Sequence, residues 1–133
     1  MTASAKITLL WGDGDRAFRL AIGQLRELQD KCDAGPAEIL GRLSNGTWRV
    51  DDIRETLRLG LIGGGATPTD ALVLTARYVD NRPLMENVMP AQAVLLAAIV
   101  GEEEPPGKTG SEKTMSEVMD ASSSRQSSAL EQS

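Results

Sequence analysis

Three acidic side chains, Asp51, Asp52 and Glu55, form a tight carboxylate group ahead of the C-terminal region. Paired carboxylates act as general acid and general base where a cleft shifts their pKa values apart. Here the group precedes an apolar repeat of helical spacing that begins at Ile53. Carboxylates in a first helical turn cap the helix and interact favourably with its dipole. We therefore interpret the group as a helix start and not as a catalytic pair.

Other chemically active residues are scarce, because the chain has no His and a single cysteine, Cys32. The usual zinc ligand sets, the Ser-His-Asp triad and the Cys-His dyad cannot be assembled within one such chain. We predict that the protein is not an enzyme and binds neither a metal ion nor a cofactor. Cys32 lies near a predicted helix end and is interpreted as a small packing residue, with a reactive thiol as the alternative.

Three glycine-containing motifs resemble ligand-binding loops. The stretch GEEEPPGKT at residues 101–109 has one residue too many between its glycines for a phosphate-binding loop. Residues 12–15, GDGD, suggest a calcium loop, but the later Glu is missing and a hairpin turn explains them. Residues 63–65, GGG, precede a helix start that would attract an anion. We interpret them as a flexible helix stop.

Length and composition restrict the domain that positions these residues. With 133 residues, of which 41% are hydrophobic and 3% aromatic, the chain has room for one modest core of aliphatic residues. Such a core favours helices over sheets. No apolar run approaches the roughly 18 to 20 residues of a membrane span, and the N-terminus lacks the apolar run of a signal peptide. We expect a cytoplasmic protein without a membrane partner.

The charge distribution argues against a nucleic-acid partner. The formal net charge is -5, and residues 1–100 carry 11 basic and 12 acidic side chains, against 3 and 7 in residues 101–133. Affinity for nucleic acid comes largely from Lys and Arg that neutralise phosphates. We therefore predict no nucleic-acid binding.

Hydrophobic periodicity predicts an α+β fold that is predominantly α. Residues 6–11 and 16–20 flank an Asp-Gly pair, and the second run alternates apolar and polar residues, which indicates an N-terminal β-hairpin. Four to five short helices follow, bounded by glycine, proline and capping residues. We place them at about residues 21–32, 36–43, 52–62, 67–81 and 90–100.

The last predicted helix is apolar on nearly every face. It is either the central core helix or partly a docking surface, because a small domain can hardly cover all of it. An uncovered remainder would promote weak self-association. Six apolar side chains in and before this helix are the candidate partner-binding residues: Met85, Val88, Met89, Val94, Leu95 and Ile99.

A shift in composition after Gly101 marks a domain boundary. We predict that residues 1–101 form a small helical domain with the N-terminal hairpin. Residues 102–133 are acidic and Ser-rich, and we predict a disordered C-terminal tail because they lack apolar periodicity. Met115, Val118 and Met119 fall at helical spacing within this tail; they are either a motif that folds on a partner or a chance cluster.

Three packing motifs stand out along the chain: FRLAIGQLREL at residues 18–28, DDIR at residues 51–54 leading to LGLIGGG at residues 59–65, and the closing apolar helix. Their order resembles the tail assembly chaperone family of gene transfer agents and related tailed bacteriophages. The resemblance covers about residues 6–101.

The resemblance implies a protein that binds the tape measure protein, holds it soluble and assists assembly of the tail tube, with the tail tube protein as a further partner. It also implies no catalytic residue and no cofactor. The implied location is the cytoplasm of the bacterial host cell, and the protein would be absent from the mature particle.

The alternative is a small helical nucleic-acid-binding or regulatory module. Consecutive short helices that carry Arg54, Arg58, Arg77 and Arg82 suggest it. The nearly neutral charge of residues 1–100 disfavours it, since modules of this class present a dense basic face.

Overall fold

A computed structural model describes residues 3–103 of the chain, and the side chains of residues 4–101. In that range an antiparallel β-hairpin is followed by five α-helices, which confirms the predicted α+β, predominantly α fold. The elements are β1 (Ala3–Ser4), β2 (Lys6–Trp11), β3 (Gly14–Arg19), α1 (Ile22–Cys32), α2 (Pro36–Asn45), α3 (Val50–Gly63), α4 (Pro68–Thr75), a π-helical turn (Ala76–Asp80), a 3-10 turn (Leu84–Asn87), α5 (Val88–Val100) and β4 (Glu102–Glu103).

The described residues form two small two-stranded sheets. β2 pairs with β3, and β1 pairs with β4. Residues Ser4–Glu102 form one unit, which contains the hairpin and all five helices. The predicted disorder of residues 102–133 falls outside the described residues, apart from positions 102 and 103.

The hairpin turn differs by one residue from the predicted one. Trp11 lies opposite Gly14, so Gly12 and Asp13 form the two-residue turn instead of the Asp-Gly pair. Gly12 has a φ of 67° whereas Asp13 has no positive φ, as in a type II′ turn with glycine first. A distant contact also demands glycine here, because a Cβ on Gly12 would lie 2.7 Å from the ring of Tyr78.

Helix α3 occupies the centre of the Ser4–Glu102 unit. It packs against β3, α1, α4 and α5. The apolar repeat that begins at Ile53 continues through Leu57 and Leu61, and all three side chains are buried. The apolar residues of α1 are only partly buried, since Leu28 is in the core whereas Ile22, at the start of the helix, is 64% exposed.

The C-terminal half of α3 lies directly on the backbone of β3. A Cβ on Gly63 would overlap the carbonyl oxygen of Arg19, and a Cβ on Gly64 would overlap that of Ala17. Only glycine allows two backbones to approach this closely. The helix stop predicted at residues 63–65 is confirmed, since α3 ends at Gly63 with Gly64 as its C-cap residue. Gly63 and Gly64 in addition form a close packing contact that the sequence analysis did not predict.

The carboxylates at the start of α3 have structural partners. Asp52 is fully buried and accepts a hydrogen bond of 2.8 Å from the backbone N–H of Arg49, the residue before the helix. Its Oδ1 lies 3.1 Å from Nη1 of Arg42, which connects α3 to α2. These contacts agree with a helix start.

Candidate interaction surface

Helix α5 carries no charged side chain and begins two residues before its predicted start at Pro90. One side of the helix is in the core, through Val88, Ala91, Val94, Leu95 and Ala97. The opposite side exposes Met89, Leu96, Ile99 and Val100. Spacings of three, four and seven residues place these four side chains on one face of the helix. The helix is therefore a core helix on one side and leaves an apolar face open on the other.

The six predicted partner-binding residues divide into two groups. Val88, Val94 and Leu95 are buried, the last two completely. They pack inside the domain and are not part of its surface, because the 3.6-residue period turns them away from the open face.

The other three predicted residues are exposed. Met85 exposes 72%, Met89 76% and Ile99 44% of their surface. A partner-binding role for these three stays a prediction.

Sequence reasoning missed two residues of the open face, Leu96 and Val100, which expose 48% and 69% of their surface. The sequence of a helix that is apolar on nearly every face does not indicate which side is buried. The exposed side of α5 therefore became evident only from the way the neighbouring elements pack against it. We call the exposed residues Met85, Met89, Leu96, Ile99 and Val100 the α5 stripe. The single polar side chain of α5, Gln92, lies on the same face, between Met89 and Leu96, and it donates to Oγ of Ser44 on α2 (3.1 Å).

A rigid base supports the N-terminal end of the α5 stripe. Nε1 of buried Trp11 donates to Oδ1 of Asn87 (2.7 Å), and Nδ2 of Asn87 donates to the carbonyl oxygen of Tyr78 (2.8 Å). The Trp11 ring meets the rings of Tyr78 and Phe18 edge-on, with centroids 5.5 Å apart in both pairs. These contacts fix the 3-10 turn that carries Met85 against the hairpin.

A shallow cavity of about 200 Å³ lies next to this end of the stripe. Leu10, 83% exposed at the end of β2, lines it together with Glu86 and Pro90. Arg82 also lines it and forms an exposed ion pair with Glu86 (3.0 Å). This end of the stripe is therefore bordered by one exposed apolar side chain, Leu10, and by the charged pair Arg82 and Glu86. Polar and charged groups commonly form the rim of a protein-binding patch.

Three of the four arginines that suggest nucleic-acid binding, Arg54, Arg58 and Arg82, have acidic partners. Glu55 is almost completely buried and binds Nη2 of Arg58 (2.6 Å) and Nη1 of Arg54 (2.9 Å). Burial opposes ionisation of Glu55, but the hydrogen bonds and charges of Arg58 and Arg54 outweigh it and lower its pKa. Arg54 also binds Asp80 (2.9 Å). These charges stabilise the fold and are not free to contact phosphates.

The thiol of Cys32 is buried and donates to the carbonyl oxygen of Asp51 (3.3 Å). Burial, followed by the nearby Asp52 carboxylate, raises the pKa of the Cys32 thiol to about 12. A thiol that stays protonated at neutral pH is a poor nucleophile, so the packing interpretation fits this residue.

Among residues 3–103, no three His, Cys, Asp or Glu side chains are grouped so as to hold a metal ion. Within the same range, no helix has the length and apolar character needed to cross a membrane.

A family model described as phage tail tube protein, GTA-gp10, matches residues 4–101. The match covers the hairpin, the glycines of α3 and the whole of α5. The chain belongs to this family. Comparisons with curated proteins and with solved structures give no match.

Membership of this family confirms the phage tail relationship that the sequence motifs indicated and corrects the predicted function. The family is described as a tail tube protein, a structural component, so the prediction of a tail assembly chaperone is wrong. Binding to the tape measure protein, which followed from the chaperone prediction, has no support. The coarser expectation of partners among tail proteins is consistent with the family.

Proposed function

We propose that the protein is a structural component of the tail of a phage or gene transfer agent, and that it acts by packing against other tail proteins and not by catalysis. The observation that carries this proposal is the α5 stripe, an open apolar face on a helix without charges. Large exposed apolar patches in soluble domains mark protein contact sites. Family membership supports tail proteins as the partners.

The way the stripe is held favours specific binding. The buried side of α5 is anchored by Val94 and Leu95, so the helix is already in place before a partner arrives. A preorganised surface loses little conformational freedom on binding. The two exposed methionines, Met85 and Met89, add side chains that adapt their shape to a partner.

The location of the protein separates a structural role from other roles. Synthesis in the cytoplasm of the bacterial host stays a prediction. Absence from the mature particle followed from the chaperone prediction and is untested, and the present proposal predicts the opposite. A structural component is instead retained in the particle. Immunoblotting and mass spectrometry of purified particles test this directly, with a stoichiometric signal expected and complete absence contradicting the proposal.

The contribution of the stripe is tested by complementing a deletion strain with Leu96→Asp. The charge prevents dry packing of the stripe, so we expect few or no complete tails by electron microscopy while the protein accumulates at its normal level. Leu72→Asp is the matched control, because Leu72 on α4 is exposed to a similar extent, 51%. Normal tail yield with Leu96→Asp would refute a role of this surface.

A further inference from the structure

We infer that two copies of this chain pair through their α5 stripes, with the two helices antiparallel. This inference deepens the proposed function and rests on the same surface, since it names a second copy as one partner of the stripe. It concerns the free protein before other tail proteins are bound. Area, residue spacing and charge each support it.

The area of the stripe fits a weak pair. Its five side chains are 44% to 76% exposed and together leave on the order of 600 Å² of apolar surface, near the upper end of the largest patch on a typical monomer. Two copies that cover each other's stripe remove about 1,200 Å² from water, at the lower limit of specific interfaces. A reversible dimer with modest affinity is therefore expected.

The spacing along α5 suits a second helix as the occupant. Met89, Ala93, Leu96 and Val100 follow one another at intervals of four, three and four residues. The same alternation forms the seam between two helices in coiled coils. Ala93 is small and half-buried at the middle of this face, which lets a facing helix approach.

The charge pattern at the ends of α5 selects the antiparallel arrangement. In the sequence, three glutamates at positions 102–104 follow directly after the helix. A parallel pair would place two of these acidic segments side by side, which is unfavourable. An antiparallel pair keeps the two acidic segments at opposite ends and avoids this repulsion.

The purified full chain alone tests the pairing. In sedimentation velocity over a concentration series, we expect the wild-type protein to shift from monomer to dimer as its concentration rises. Leu96→Asp should stay monomeric, and Leu72→Asp, with an unchanged stripe, should dimerise like wild type. Thermal melting verifies that both variants are folded. A wild-type protein that stays monomeric up to its solubility limit, or a folded Leu96→Asp that dimerises normally, overturns the inference.

Thiol cross-linking tests the orientation. Mixed samples of Met89→Cys and Val100→Cys should be linked to each other by a short bismaleimide, because these positions face each other in an antiparallel pair. Each variant alone should link poorly, since an offset of 11 residues along the helix separates its two copies by about 16 Å. The buried Cys32 does not interfere. Efficient self-linking of either variant would show a parallel pair and overturn the orientation.

The two proposals fail in different ways. Loss of tails in Leu96→Asp cells together with a strictly monomeric wild-type protein would leave the proposed function standing and remove the dimer. A wild-type dimer together with normal tails in Leu96→Asp cells would leave the dimer standing and remove the proposed function.

Discussion

Gly63 and Gly64 at the C-terminal end of α3, here called the glycine face of α3, and the α5 stripe tolerate different kinds of substitution. On α3, Gly63 and Gly64 lie so close to β3 that even a methyl group overlaps its backbone. On α5, Leu96 and its neighbours face outward without a contact that limits their size. The glycine face of α3 therefore excludes larger side chains, whereas we expect the α5 stripe to exclude charged ones.

This difference separates residues needed for the fold from residues available for function. A change on the glycine face alters the distance between α3 and the hairpin, so it acts on stability. A change on the α5 stripe leaves the core unchanged and acts on binding. Variants on each face test whether the glycine face acts on stability and the α5 stripe on binding.

The largest effect is expected for Gly64→Ala. The new methyl group would overlap the Ala17 carbonyl, so α3 or β3 has to move, and we expect destabilisation of about 4 kcal/mol or more. Urea unfolding measures it. Gly41→Ala in α2 is the matched control: it has no neighbour within 4 Å, and removing a helix-interior glycine should stabilise by about 0.5–1 kcal/mol. Equal effects at the two positions would contradict the close contact.

The second prediction compares adjacent residues on α5. Leu95→Ala opens a cavity in the core and should cost about 2–5 kcal/mol. Leu96→Ala on the stripe should change the free energy of unfolding by about 0.5 kcal/mol or less in the monomer. Chemical denaturation at low protein concentration compares the two. A similar cost for both would mean that the open face of α5 is also part of the core.

These two faces also show which features a sequence reveals. The hairpin, the helix starts and the break after α3 depend on local signals such as the glycines and the Thr67-Pro68 pair, whose hydroxyl accepts from Asp70 N–H (3.1 Å). They could be predicted. The open side of α5 could not, because its residues are uniformly apolar and only the surrounding helices decide which side is covered.

Two further features depend on distant residues and were therefore missed. The π-helical turn Ala76–Asp80 presents the Tyr78 carbonyl to Asn87, a contact that the predicted single helix over residues 67–81 does not contain. The hairpin turn falls on Gly12 and Asp13, with the Tyr78 ring packed against Gly12. Local propensity does not encode either contact.

A smaller effect is expected for Asn87→Ala, which removes one buried and one partly buried hydrogen bond below the α5 stripe. The Nε1 of Trp11 loses its acceptor, and we expect a cost of about 1–3 kcal/mol. Gln92→Ala, which loses only the exposed bond to Ser44, should cost about 0.5 kcal/mol or less. Differential scanning calorimetry distinguishes them. No difference between the variants would show that the Trp11 contact contributes little.

The smallest expected effect on the free energy of unfolding is a pH-dependent one at Glu55. Because the pKa of Glu55 is lower in the folded chain than its ordinary value of 4.5, its ionised form stabilises the fold above about pH 4.5, and this contribution disappears as the pH falls through the folded-state pKa. Glu55→Gln should therefore differ from wild type at pH 7, and the difference should shrink below pH 4.5. Unfolding curves from pH 7 to pH 3 check this, with exposed Glu86→Gln as control. A gap that stays constant with pH would exclude the Arg54 and Arg58 contacts as its cause.

The position of α5 in the chain has a consequence for synthesis. The helix packs against β2, α2 and α3, all of which leave the ribosome before it. Between the end of α3 at residue 63 and the end of α5 at residue 100, translation takes about 2 to 7 s at ordinary bacterial and eukaryotic speeds. During that interval Val94 is not yet available to cover Phe18 and Gly60, so these residues of the core stay exposed in the nascent chain. The core is therefore complete only when the last helix has left the ribosome, and slower translation of this final part lengthens the time for which core side chains of the nascent chain stay exposed.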